Sequence, residues 1–420
     1  MRHQFNYRNQ QLWCEKSSVA EIVKKTGTPA YLYSYFSIVD HFRQVQKAFK
    51  PVNALICFAV KSNSNIAVCR ALVKAGSGCD VVSGGELIRA LKAGANPKKI
   101  VYASVGKTDR EIEQAVRAGI LLFNVESEQE LGRIDRICAR LKKKQKVNLR
   151  MNPEVDPHTH HFITTGHKAS KFGIDMPTVE KLLANTKRYP HLIFAGIHIH
   201  IGSQILEARP FKAAIGKALA VIARGRKNGA PIEYLNIGGG LGIIYKKEKP
   251  QKPSDYAKKV LPLLKKSGLK IILEPGRFIV GNSGILVTRV VYIKNSHGKK
   301  FAIVDAGMND LVRPSLYGAY HEIQPVLTKP GSKKGRYDIV GPVCESGDFF
   351  AKDRTLPQLE AGDLISIFSA GAYGFVMASN YNTRPKPVEI LVHGKRWDII
   401  RKRETIDDLL RGEKIPAWLK

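Results

Sequence analysis

Eight apolar, β-branched runs, each bounded by turn residues and separated from the next by an amphipathic segment, constrain this chain more than any other feature. They fall at 54–60 (ALICFAV), 79–82 (CDVV), 100–103 (IVYA), 121–125 (LLFNV), 147–151 (VNLRM), 192–199 (LIFAGIHI), 232–237 (IEYLNI) and 271–274 (IILE). Between them lie segments such as 84–93 (GGELIRALKA), 109–118 (DREIEQAVRA) and 127–141, with apolar residues at helical spacing. Near-continuous apolar runs suit strands covered on both faces. Strand and helix alternating eight times over about 220 residues predict a (β/α)8 barrel, an α/β architecture.

The pattern changes near residue 285. The runs ILVTRVVYIK, KKFAIVDAG, RYDIVGPV, DLISIFSAGAYG and PVEILVHGKRWDII follow one another with Gly and Pro, and no helical segment, between them. They predict a C-terminal antiparallel β domain, a sandwich or barrel. The expected division is a barrel over 30–282 and a β domain from 1–29 plus 283–420, with YLYSY at 31–35 able to belong to either. The N-terminus, Met1-Arg2-His3-Gln4-Phe5-Asn6, has no apolar run of signal-peptide length, and no stretch reaches the roughly 18 to 20 apolar residues of a membrane span. A cytoplasmic protein with no membrane partner is expected. The six cysteines, at 14, 57, 69, 79, 138 and 344, form no CxxC pair, which argues against a disulfide framework or a thiolate zinc site.

Charge raises a competing class. With 68 Lys plus Arg against 36 Asp plus Glu, the formal net charge is +32, and phosphate backbones are bound by such residues. The basic clusters, however, fall at 142–146, 246–252, 329–336 and 395–403, scattered along the chain rather than gathered in one arm. A basic surface is the expectation, with no nucleic-acid partner.

In a barrel of this kind, function gathers at the C-terminal ends of the strands. Lys61 follows the first run, Asp80 and Ser83 lie in or just past the second, Ser104 follows the third, and Glu126 and Ser127 the fourth. Asn152 follows the fifth, His200 the sixth, Gly238-Gly239-Gly240 the seventh, and Glu274 ends the eighth. A lysine closing the apolar run CFAV has its amine pKa lowered by burial and becomes a nucleophile toward a carbonyl, although a lone lysine at a strand end more often snorkels. The glycine triplet suits a phosphate held by backbone N–H groups, or simply a tight turn. A reactive lysine, a phosphate cradle and a carboxylate able to keep a pyridine nitrogen protonated are together what pyridoxal 5'-phosphate chemistry requires. His198 and His200 share one face of a strand, and His158, His160 and His161 add imidazoles. With no carboxylate or thiolate at ligand-like spacing, no metal is expected. Cys344, in Gly341-Pro342-Val343-Cys344-Glu345-Ser346-Gly347-Asp348, sits in a loop where a thiol could donate a proton, or is inert packing.

These residues lie in the segments CFAVKSN, CDVVSGGEL, RMNPEVDPHTHHFITTGHKASKFGI, HIHIGSQ, LNIGGGLGI, EPGR, MNDLVRPSLYGAYHE, GPVCESGDFF and AGAYGFVMASNYNTRPKP. Through them, from about residue 28 to 395, the chain resembles the diaminopimelate decarboxylases of the barrel-type (fold type III) pyridoxal phosphate decarboxylase family. The resemblance implies a carboxy-lyase that converts meso-2,6-diaminopimelate to L-lysine and CO2. It implies that Lys61 carries the cofactor covalently, that His200 stacks on its ring and that Glu274 holds its pyridine nitrogen. Ser203, Gly238, Gly239, Gly240, Gly276 and Arg277 would contact the cofactor, chiefly its phosphate. Arg277, Arg313, Tyr317 and Glu345 would bind substrate, Tyr373 would touch both, and Cys344 would donate the proton. In such enzymes Cys344 and Glu345 enter the barrel of the other subunit, so an obligate homodimer with shared active sites is implied. Racemases of this fold resemble the pattern but carry an arginine where Glu274 stands, which favours decarboxylation here.

Three alternatives compete. A decarboxylase of ornithine, arginine or carboxynorspermidine is disfavoured because ornithine enzymes resemble CDG where this chain reads Cys344-Glu345-Ser346, and lack RPSLYGAYHE. A cofactor-carrying protein without catalysis would lose Lys61 or Cys344, and both are present. A nucleic-acid binder rests on net charge alone. The loop expected to close over substrate is 152–174.

Overall fold

The computed structural model describes residues 4–156 and 171–419 of the chain. It divides into two units, Ile38–Gly281 and Met1–Ser37 with Asn282–Lys420.

The first unit is the barrel. Its strands are Leu55–Ala59, Gly78–Val81, Ile100–Tyr102, Leu122–Val125, Gln145–Arg150, Leu192–His198, Tyr234–Asn236 and Lys270–Leu273. Each pairs in parallel with the next, and the last pairs back to the first through Ile272 to Leu55 and Leu273 to Ile56, which closes the sheet. Each lies within two residues of the run that predicted it, because burial on both faces leaves no polar alternation to blur the boundary. Helices connect them, and the capping chemistry explains where several start. Asn65, Ser83, Thr108, Ser127 and Asp175 each accept a backbone N–H of the first helical turn, and Thr108 with Glu111 forms a reciprocal capping box.

Inside the barrel, Cys57, Val101, Leu122 and Ile272 form a closed apolar cluster. Two residues further along the fourth and eighth strands stand Asn124 and Glu274, whose side chains are hydrogen-bonded. Those strands are not neighbours in the sheet, so the bond crosses the lumen. An apolar floor below and a polar layer above is therefore a consequence of side chains alternating with period two. Among the described residues no helix is long and apolar enough to cross a membrane.

The second unit is built on a nine-stranded sheet whose main path runs Phe349–Pro357, Lys334–Val340, Lys299–Val304, Gly284–Ser296, Ala30–Ser34, Val388–His393 and Arg396–Arg401. A small sheet of Phe5–Arg8, Gln11–Cys14 and Ser17–Ser18 accompanies it. Two features differ from the sequence reading. Ala30–Ser34, assigned from residue 30 to the barrel with 31–35 left open, is a strand of this second sheet, between Gly284–Ser296 and Val388–His393. It is buried along its whole length, so it reads like a barrel strand until its partners are known. The sheet is also mixed rather than wholly antiparallel, because Ala30–Ser34 with Val388–His393, and Lys299–Val304 with Lys334–Val340, run parallel. Parallel pairing needs a long crossover, and the entire barrel separates the first pair.

Candidate active site

Lys61 leaves the first barrel strand on a single 3-10 turn, Val60–Ser62, and its Nζ lies 2.5 Å from Asp80 Oδ2. Register explains the meeting, since Asp80 pairs directly with Ala59, two residues before Lys61. Asp80 is fully buried, and burial, with the negative charge of Glu274, pushes its carboxyl up to about 7 against the opposing pull of Lys61. Its second oxygen, Oδ1, has no hydrogen-bond partner among the described residues.

Glu274 is held by three side chains. Its Oε1 accepts from Asn124 Nδ2 at 2.9 Å and Asn236 Nδ2 at 2.6 Å, and its Oε2 faces His198 Nε2 at 3.1 Å. Burial alone would raise this carboxyl. His198, Lys61 and Asn236 outweigh burial and hold it well below the usual carboxylate range, so Glu274 is an anion. A carboxylate offers about four acceptor positions, so one remains for a further donor.

His200 lies next to this group. Burial lowers its pKa, and the positive charges of Arg150 and Lys61 lower it further, so its ring is neutral. Its Nδ1 accepts the Gly239 N–H at 3.3 Å, which leaves the ring proton on Nε2. The glycine turn is packed against the Glu274 backbone. A Cβ on Gly239 would stand 2.2 Å from the Glu274 carbonyl oxygen, while Gly238 and Gly240 adopt φ of +68° and +104°. Gly239→Ala is therefore expected to cost about 2 kcal/mol or more, because backbone rather than a yielding side chain must move. Thermal melting and cofactor retention check this, and values equal to the parent's would show that the turn has room.

Ser203 and Arg277 also meet. The Ser203 hydroxyl accepts from Arg277 Nε and Nη2 at 3.2 and 3.1 Å, and Tyr245 OH accepts from Nη1 at 2.6 Å. Gly276 precedes Arg277 so closely to the first strand that a Cβ there would stand 3.0 Å from Ala59 Cβ and Ser62 Oγ. One end of the barrel thus gathers Lys61, His200, Ser203, Gly238, Gly239, Gly240, Glu274, Gly276 and Arg277. His158, His160, His161 and residues 157–170 of the expected closing loop lie outside the described residues. Nearby, Glu126 Oε2 accepts the Gly173 N–H and Oε1 binds Arg150 Nη1 at 2.6 Å.

The second unit holds the remaining predicted residues. Arg313 is buried and donates to His321 Nε2 at 2.9 Å, and His321 Nδ1 in turn donates to the Phe368 carbonyl. Tyr317 is half-buried on the same short helix, Arg313–Tyr317. Ser315 Oγ donates to the Gly347 carbonyl at 2.6 Å and so ties that helix to the loop bearing Cys344 and Glu345. Asp348 pins the same loop by accepting the Met308 and Val343 N–H groups, each at 2.6 Å. Cys344 and Glu345 are both exposed, whereas the other five cysteines are buried. Tyr373 takes φ +56° in the turn after Leu364–Ile367, half-buried.

The sequence alone assigns no role to Asn124, Asn236 or Tyr245 and names Asp80 and His198 only by place. An asparagine at an alternate position inside an otherwise apolar strand is the signal that could have found the first two, because such a strand faces the lumen at every second residue.

These groups fit a bound pyridoxal phosphate. An amine stands beside a carboxylate with a buried oxygen unmatched among the described residues, an anionic carboxylate keeps one acceptor position, and a flat neutral ring adjoins a glycine turn at which any added Cβ would strike backbone. Residues 36–281 match the family described as pyridoxal-dependent decarboxylase, pyridoxal binding domain. Diaminopimelate decarboxylase of Aquifex aeolicus is 48% identical over 402 residues, covering 96% of this chain and 95% of that protein. The Pseudomonas aeruginosa enzyme of the same name is 45% identical, covering 98% and 99%. Among solved structures, diaminopimelate decarboxylase from Helicobacter pylori complexed with L-lysine matches with a TM-score of 0.90 and 44% identity, covering 93% of this chain and 98% of that one. The M. jannaschii enzyme in complex with L-lysine matches with a TM-score of 0.94 and 36% identity, covering 99% of each chain. With its fold, its barrel-end residues and its full length all in agreement, the chain belongs to the pyridoxal-dependent decarboxylases, in their diaminopimelate decarboxylase branch.

Proposed function

We propose that this protein decarboxylates meso-2,6-diaminopimelate to L-lysine and CO2, the last step of lysine biosynthesis, as a cytoplasmic homodimer with shared active sites. The observation that carries the reading is Glu274, kept anionic in the barrel lumen by Asn124, Asn236 and His198 next to the Lys61–Asp80 pair. When bound, pyridoxal phosphate supplies a ring that accepts the electrons of the breaking carboxylate bond, which it does well only while its nitrogen is protonated. Glu274 serves that condition, since an adjacent anion raises the pKa of a pyridinium. Lys61 would be the amine that holds the cofactor, and the Asp80 carboxylate beside it would pair with the Lys61 ammonium when that amine is free.

The neutral face of His200 would pack against the ring. Gly238, Gly239, Gly240, Ser203, Gly276 and Arg277 would surround the phosphate with donors. Substrate selection falls to groups that match its distal end, which carries both a carboxylate and an amine. Arg313, with Arg277 and Tyr317, suits the carboxylate, and Glu345 suits the amine, because a planar guanidinium binds a carboxylate bidentately. The exposed Cys344 thiol, on a loop pinned by Asp348, hands a proton to the substrate carbon that has lost CO2. In the dimer this thiol and Glu345 come from the second copy, and Tyr373 contacts cofactor and substrate together.

Purified protein supplied with pyridoxal phosphate is expected to release CO2 from meso-diaminopimelate in preference to ornithine or arginine. Preference for either competitor would overturn the substrate, and no release from any of the three would overturn the reaction.

A further inference from the structure

The Glu274 network leaves a cluster of buried polar atoms unmatched among the described residues. Asn148, on the fifth barrel strand, is fully buried, and neither its Oδ1 nor its Nδ2 has a hydrogen-bond partner among the described residues. Asn124 Oδ1 and His198 Nδ1 share that condition, although the other polar atom of each holds Glu274. Strand register makes the three neighbours. Asn124 pairs with Asn148, Asn148 pairs with Gly196, and His198 stands two residues beyond Gly196 and so on the same side of the sheet. The Asn148 amide lies over the sixth strand, since a Cβ on Gly196 would come within 2.6 Å of its Oδ1.

A primary amide with two donors and an acceptor, stripped of water and given nothing in return, is among the most costly arrangements a core can contain. Internal water is how proteins commonly resolve it, where the surroundings offer several polar partners. The partners here are of both kinds. Asn148 Nδ2 can only donate, while Asn148 Oδ1 and Asn124 Oδ1 can only accept. A metal cation would leave the donor unmatched and an anion would leave the acceptors unmatched, whereas water serves both.

We propose that Asn148, Asn124 and His198 form an internal water site within the barrel, and that its water donates to His198 Nδ1. A donor at Nδ1 requires the ring proton to be on Nε2, which then donates to Glu274 Oε2. The water thereby keeps Nδ1 an acceptor, so that with Glu274 at Nε2 the ring stays the neutral Nε2–H form, and Asn148 is a positioning residue for that carboxylate. This deepens the function proposed above, because it concerns the same carboxylate, but its primary readouts involve no turnover.

A crystal structure of the cofactor-loaded protein at about 1.5 Å is expected to show water within hydrogen-bond reach of Asn148, Asn124 Oδ1 and His198 Nδ1. Nitrogen-15 shifts of labelled histidine, assigned by His198→Gln, are expected to report a neutral Nε2–H ring. Asn148→Leu should remove the water and shift His198 away from that tautomer, lowering kcat about fivefold with KM unchanged. Asn148→Ser, which keeps a polar partner, should restore both. Absence of the water, an Nδ1–H or doubly protonated His198 in the parent, or an unchanged tautomer in Asn148→Leu would overturn the proposal. The parent's structure and spectrum decide it even if Asn148→Leu fails to fold. An inactive parent that still holds the water and the Nε2–H ring would indict the function alone.

Discussion

Replacing Lys61 with alanine is expected to remove the visible absorbance of lysine-bound cofactor and to lower turnover about a thousandfold or more. Lys61 is the amine at the barrel end paired with a buried carboxylate, and its removal also takes from the buried Asp80 the cation it is paired with. Such a loss destabilises the site, so the variant should bind cofactor weakly as well as turn over slowly. Absorbance spectra and decarboxylation assays check both, and unchanged turnover would refute the assigned role. The same variant tests the shared site. Co-expressed with Cys344→Ala subunits, it should form mixed dimers in which one of two sites has both residues intact. Random pairing makes half the dimers mixed, so activity should return to about a quarter of the parent's. No recovery, with mixed dimers verified, would place Lys61 and Cys344 of each site on one subunit.

Glu274→Gln keeps the shape of the side chain and removes its charge. Turnover is expected to fall about a hundredfold to a thousandfold, with the cofactor still held by Lys61. The carboxamide can accept from Asn124 and Asn236, yet it cannot keep a pyridine nitrogen protonated. The substitution also has a signature in stability. Burial would raise the Glu274 carboxyl, but His198, Lys61 and Asn236 hold it below its ordinary 4.5. The folded chain therefore binds this proton less readily than the unfolded chain. That contributes stability at pH above 4.5, which is lost as the pH falls through the acid range. Glu274→Gln should consequently show a shallower loss of melting temperature on acidification than the parent. An equally steep loss would mean that other carboxylates govern the acid limb, and near-normal turnover would remove Glu274 from the chemistry.

The barrel was legible because its strands are buried on both faces and its helices carry local caps. Runs such as LICFA and stops such as Thr108 with Glu111 act over a few residues and need no distant partner. The positions of Lys61, the glycine turn and Glu274 at one end of the barrel were legible for a related reason, since each ends a readable strand. Asn124, Asn148, Asn236 and His198 were harder. A single polar residue inside an apolar run looks like an interruption until the opposite wall of the barrel shows what it faces. Ala30–Ser34 shows the same limit at the level of a strand, because its burial is evident and its partners are not.

The amino-acid sequence by itself determined the alternation that makes the barrel, the strand ends at which chemistry gathers, and the motifs that match this family. Those are properties of periodicity and of short segments, governed by local backbone preference and burial. Only the tertiary structure decided that Asp80 meets Lys61, that three side chains from three strands hold Glu274 as an anion, and that the second sheet is mixed. Those outcomes depend on register and on closure of the sheet, which bring together residues up to about 360 positions apart, and no local preference carries that information.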